Sequence, residues 1–149
     1  MIRFLCVAAL VALPTMAQAQ MQPGEWQINV NVTSFDMPSA SQEQADAFKK
    51  PRVHKECFTA EQVQGGLLEM MKKAQRSGEC KMTSENASGT RFDAVMVCDR
   101  PDGTKVTVTL NGSFAATKFD INTAVEQTGA KAMKMTAVTA AERIGDCTK

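Results

Sequence analysis

Pro23-Gly24-Glu25-Trp26-Gln27-Ile28-Asn29-Val30-Asn31-Val32-Thr33 decides how the rest of this chain is read. Trp26, Ile28, Val30 and Val32 alternate without interruption with Gln27, Asn29, Asn31 and Thr33, and Trp26 is the only tryptophan. Successive side chains of a strand point to opposite faces, so a strict period of two predicts a strand with one apolar and one wetted face. Such a half-buried strand belongs to an antiparallel sheet.

Upstream of it, the sequence has the layout of a secretory leader. Arg3 forms a short positive region, Phe4 to Leu13 is uncharged and apolar, Pro14 breaks the run, and Ala17-Gln18-Ala19 is a small-residue cleavage pattern. Residues 1–19 are expected to be removed, leaving 20–149 as a single β-rich domain. No stretch approaches the roughly 20 apolar residues of a membrane span. Without Arg3 the Lys and Arg residues number sixteen, equal to the Asp and Glu residues. That balance gives no electrostatic case for nucleic acid or an anionic membrane.

Four cysteines remain downstream: Cys57, Cys80, Cys98 and Cys147. An even count in an exported chain predicts two disulfides, with three possible connectivities. No C-x-x-C is present, and one histidine does not build a zinc site, so neither metal nor cofactor is implied.

After the first strand, residues 34–53 carry Pro38 and Pro51 and read as a long loop, with room for a helical turn at Ala45 to Lys49. Thr59-Ala60-Glu61-Gln62 is a capping-box pattern. Apolar residues follow at helical spacing through Val63, Leu67, Met70, Met71 and Ala74. Gly65-Gly66 weakens the first half by roughly 1 kcal/mol per glycine, so the sturdier helix is expected from Leu67 to about Ser77.

The remainder alternates with period two. Strands are predicted over Lys81 to Asn86, Arg91 to Cys98, the residues around Val106 to Leu110, the stretch returning from Asn111-Gly112 to about Glu126, and Lys131 to Ala141. Turns are expected at Ser88-Gly89, Asp102-Gly103 and Gln127 to Ala130. Asn111-Gly112 is the strongest hairpin signal, because a type I′ turn needs positive φ at both central residues. With a turn there, Phe114 and Phe119 differ in parity, so either a bulge near Ala115-Ala116 restores the register or one ring points outward. The expected architecture is mainly β (α+β): a curled antiparallel sheet or half-barrel of about six strands with one helix packed on it.

Hairpin register bears on the cysteines. A two-residue turn at Ser88-Gly89 sets residue 80 opposite 97, a three-residue loop Ala87-Ser88-Gly89 sets it opposite 96, and only a Ser88-to-Thr90 loop would bring Cys80 opposite Cys98. Cys57–Cys80 and Cys98–Cys147 are therefore the favoured pairs.

Taken together, Met21-Gln-Pro-Gly-Glu-Trp26, Cys57-Phe-Thr59, Met96-Val-Cys98, Asn111-Gly-Ser-Phe114 and Arg143-Ile-Gly-Asp-Cys147 resemble a bacterial exported family, domain of unknown function 3617. Its members have M-x-P-G-x-W-E near the start and R-x-G-x-C at the end; Gln27 stands here where the family usually has glutamate. The resemblance spans essentially all of the chain after the leader. It implies an exported, periplasmic domain with paired cysteines, and no activity.

Candidate chemistry is sparse. His54 is the sole histidine, and a general base needs a partner within hydrogen-bond reach; neighbouring Glu56 is read as pointing away from it. Arg143 and Asp146 are expected to pair at the end of the domain. Eight methionines remain after the leader, and Met133-Lys134-Met135 places two thioethers on one strand face. Thioethers select copper(I), yet methionine also fills irregular cores, and core packing is the expectation here. If the sheet encloses a ligand, Trp26, Met96, Met133 and Met135 are the side chains expected to face it. The functional expectation is a non-catalytic periplasmic module binding a small apolar ligand or an envelope protein. The alternatives are an envelope-stress or copper-handling protein and, third, a hydrolase built on His54.

Overall fold

The alternation that opens the chain runs past Thr33: β1 spans Gly24–Asp36, with Trp26, Ile28, Val32 and Phe35 buried. The step from Val32 to Phe35 breaks parity because the β1–β7 register shifts between Val32 and Ser34, a bulge that returns the apolar side chains to one face. The computed structural model describes residues 21–64, 80–129 and 131–148. Within them α1 (Gln42–Lys49) and β2 (Arg52–Phe58) follow, then α2 (Ala60–Val63), β3 (Cys80–Ser88), β4 (Arg91–Asp99), β5 (Lys105–Phe114), β6 (Lys118–Thr128) and β7 (Met133–Gly145).

All seven strands join one open antiparallel sheet in the order β2-β1-β7-β6-β5-β4-β3. The mainly β expectation holds, with seven strands rather than about six. The added strand is β2, which lies partly in the stretch read as a loop. Its residues 52–57 are all exposed, so it carries no apolar alternation to reveal it. In the same stretch Ser41 and Gln44 form a capping box that starts α1, a full helix where only a turn was expected. The Thr59–Gln62 box forms as expected and starts α2. The helix expected from Leu67 to Ser77 lies outside the described residues.

One face of the sheet carries the core. Trp26, Ile28, Phe92, Ala94, Leu110, Phe119, Ile121 and Ala141 pack there with Phe58, Met21 and Val63 of α2. A second cluster, Val32, Phe35 and Ala137, packs with Ala45 of α1 and with Met37, Met133 and Met135. The outer face is mostly polar but also carries Val53, Val95, Val97 and Val138.

The Asn111-Gly112 hairpin does not form. β5 continues through both residues and turns after Phe114, where Ala115 N–H donates to Lys118 O at 2.7 Å. Phe114 and Phe119 are therefore direct partners on the core face, with neither a bulge near Ala115-Ala116 nor an outward ring. Glycine is required at 112 for a different reason: a Cβ there would run into Asp120 O and stand 3.0 Å from Ile121 Cα. Phe92, opposite Gly112, is 1% exposed. Gly112→Ala is expected to cost about 1–3 kcal/mol through this overpacking, measured by urea denaturation. A turn glycine such as Gly89 has nothing within 4 Å of its hypothetical Cβ, and its φ of +60° is its only constraint.

The disulfides also differ from the favoured pairs: the structure joins Cys57 to Cys147 and Cys80 to Cys98, with Cα separations of 5.5 and 3.9 Å. The β3–β4 turn falls at Gly89-Thr90, so Ser88 faces Arg91. Continued without interruption, that register would place Cys80 opposite Asp99. A bulge between Met82 and Ser84 shifts it by one and brings Cys80 opposite Cys98.

Candidate functional site

The two ends of the chain meet on either side of β1. Glu25 pairs with Cys57 on β2 and with Gly145 on β7, while Trp26 pairs with Arg143. Arg143 Nε donates to Pro23 O at 2.8 Å and its Nη2 pairs with Asp146 Oδ1, the ion pair expected from the sequence. Gly24, at φ +144°, leaves no room for a side chain: a Cβ would run into Gly145 O and stand 2.6 Å from Arg143 Nε. The Cys57–Cys147 bond locks this closure. Gln22 N–H donates to Ala116 O at 2.8 Å, and Gln22 O accepts Trp26 Nε1–H at 3.1 Å.

Trp26 belongs to that closure and not to a ligand surface. It is 0% exposed, with its ring centroid 5.6 Å from Phe119 and 6.1 Å from Phe58. At 0% exposure it presents no surface to a ligand, because the rows around it fill with aromatic side chains.

Of the other named side chains, Met96 and Met135 share a row three strands apart, and Met133 lies in the row beside it. Register across the sheet places Phe35, Met135, Val125, Val108, Met96 and Met82 in one row on the core face, one residue from each of six strands. Phe35 is buried and the other five are half-buried. At 4.7–4.9 Å between strands, the row is about 24 Å long. It contains no polar side chain. The next row begins at Met133 and passes through Gln127 and Val106 to Cys98 and the Cys80–Cys98 bond. Met133 and Met135 share a face, as their spacing predicts, and pack around Val32, Phe35 and Ala137 with Met37.

Titration has little to act on along this row. Lys134, on the outer face, is held above the ordinary lysine value by its hydrogen bond to Glu126 Oε1, 2.9 Å away, and by the same charge. Asp102 is held below the carboxylate value by hydrogen bonds from Thr104 in the Asp102-Gly103 turn. Both groups lie away from the apolar stripe.

Two open depressions border the core face. One of about 270 Å³, lined by Asp36, Pro38, Gln127 and Met133, lies at one end of the Met133 row. Another of about 520 Å³ lies between Met21, Pro23 and α2. His54 is exposed on β2, opposite Ile28, and Glu56 shares its face opposite Trp26. The expectation that the two point apart is corrected by the period of two itself. Among the described residues no group of three or more His, Cys, Asp or Glu side chains could hold a metal ion, and no helix is long and apolar enough to cross a membrane.

The family profile described as "Protein of unknown function (DUF3617)" matches residues 21–147. The chain belongs to that family. Comparisons with curated proteins and with solved structures find no match. In this DUF3617 chain the matched span begins at Met21, buried beside Trp26, and ends at Cys147, half of the disulfide that closes the fold. The six-residue stripe was missed from the sequence because each strand contributes one residue to it; only the register assembles it. Its signal was present in the alternating sets Val106-Val108-Leu110 and Met133-Met135-Ala137.

Proposed function

We propose that this protein is a non-catalytic binding module of the bacterial periplasm that holds an elongated apolar ligand against the core face of its sheet. The observation that carries this reading is the Phe35–Met135–Val125–Val108–Met96–Met82 row: about 24 Å of uninterrupted apolar side chains, five of them half-buried. Its length suits an extended hydrocarbon chain. Its three methionines suit a surface that adapts to a flexible ligand, because an unbranched thioether repacks readily. The leader pattern and the two disulfides support an oxidising, exported setting.

A conjugated-polyene fatty acid, fluorescent when held out of water, tests the reading in titration. Wild-type protein is expected to bind it. Val108→Lys is expected to weaken binding at least tenfold, and Thr109→Lys, one residue along β5 on the outer face, to leave it unchanged. Met96→Gln and Met135→Gln keep side-chain volume and so separate binding from folding. They are expected to weaken the probe with little change in melting temperature. An absence of binding by the wild type, or binding indifferent to Met96→Gln and Met135→Gln, contradicts the proposal.

A further inference from the structure

The open sheet ends in two edges of different character. At β3 the register is broken by the bulge between Met82 and Ser84, and a bulged edge resists pairing with another strand. At β2 nothing of the kind occurs. Its register with β1 runs without a shift from Phe58 to Arg52, and residues 52–57 are all exposed, Val53 at 62%. A straight, exposed edge is a template for another strand.

The sequence of that edge is self-complementary. Two copies of Arg52-Val53-His54-Lys55-Glu56 laid antiparallel about His54 place Arg52 of each chain opposite Glu56 of the other. The two imidazoles then sit side by side at the axis, and Val53 faces Lys55. Directly opposed residues share a face, so both Arg–Glu pairs lie on the core-face side of the joined sheet. Moving the axis to Val53 or Lys55 loses both Arg–Glu pairs, and a register centred between two residues is excluded because directly opposed residues share a face. Arg52 is available for the contact: its only partner among the described residues is the Phe48 ring, 5.8 Å from its guanidinium carbon. Lys55, paired with Glu25 at 3.7 Å, lies on the other face.

We infer that β2 is an interface for a second copy of this chain, joining two sheets into one through an isologous antiparallel β2–β2 contact centred on His54. A two-fold axis normal to the sheet generates it, which is the commonest symmetry of soluble oligomers. Five residues from each chain make a small interface, so the dimer is expected to be of the weak, transient class, half-dissociated at roughly 10 μM to 1 mM.

Sedimentation velocity over a concentration series, on protein with both disulfides formed, tests this. The wild type is expected to shift from monomer to dimer within that range. R52E and E56R each set like charges against one another at both ends of the contact and are expected to weaken self-association tenfold or more. The double variant R52E/E56R is expected to recover it. An equimolar mixture of the R52E chain and the E56R chain is expected to form a mixed dimer, since one then presents only acidic and the other only basic partners. Both positions are exposed, so thermal melts of all variants should coincide with the wild type. A wild type that stays monomeric to about 1 mM, a dimer indifferent to R52E, or failure of both the double variant and the mixture to associate overturns the inference.

Discussion

Trp26→Ala is expected to remove about 3–5 kcal/mol of stability, the range for truncating a large buried aromatic. The side chain is 0% exposed and stands between Phe58 on edge strand β2 and Phe119 on β6. Its removal opens a cavity where three strands and the segment at Met21 converge. The loss has a second component: with no indole, Gln22 O loses the Nε1–H donor that holds the segment before Pro23 over the core. Trp26→Phe separates the two. It keeps a ring against Phe119 but gives up the hydrogen bond and some volume, and is expected to cost about 1–2 kcal/mol. Urea denaturation followed by far-ultraviolet circular dichroism measures both variants. With one tryptophan and no tyrosine in the chain, intrinsic fluorescence reports on this site in the wild type and is lost with the substitution.

Breaking the Cys57–Cys147 bond is expected to be of comparable weight. The bond closes a loop with a sequence separation of 90, and the chain-entropy relation gives about 4.6 kcal/mol for that length. Cys80–Cys98, at a separation of 18, gives about 3.2 kcal/mol. The paired serine variants at 57 and 147 should therefore unfold at a lower urea midpoint than those at 80 and 98. Position sharpens the difference. The first bond ties the end of β7 to β2, which otherwise meets the sheet only along β1. The second links two strands already paired through eight residue pairs. Non-reduced peptide mapping should recover the 57–147 and 80–98 links; a larger loss from the 80–98 variants would contradict this order.

What was legible in the sequence follows from the length scale of each signal. Period two from Trp26 to Val32 needs only neighbouring residues, and β1 formed where it was read. Thr59 to Gln62 capped α2 for the same local reason, and Ser41 with Gln44 carried the same signal for α1 unread. Three of the errors involve a partner strand. Asn111-Gly112 reads as a turn, but the close approach of Asp120 and Ile121 required glycine there within an extended strand. Hairpin arithmetic separated Cys80 from Cys98 because no local feature announces a one-residue bulge at Thr83. Arg52 to Glu56 looks like loop composition because an edge strand next to solvent needs no apolar face. The candidate site shares this difficulty. Met96 and the Met133–Met135 pair were singled out separately, but the row that joins Met96 and Met135 to Val108 and Val125 exists only once the register is known.

The most direct test of the binding account is native mass spectrometry of the protein purified, without denaturation, from the cells that make it. The account predicts a population carrying the added mass of a single-chain amphiphile, with that population lost in Met96→Gln/Met135→Gln protein prepared in parallel. Wild-type protein carrying only its polypeptide mass, or an adduct equally abundant in the double variant, would contradict it.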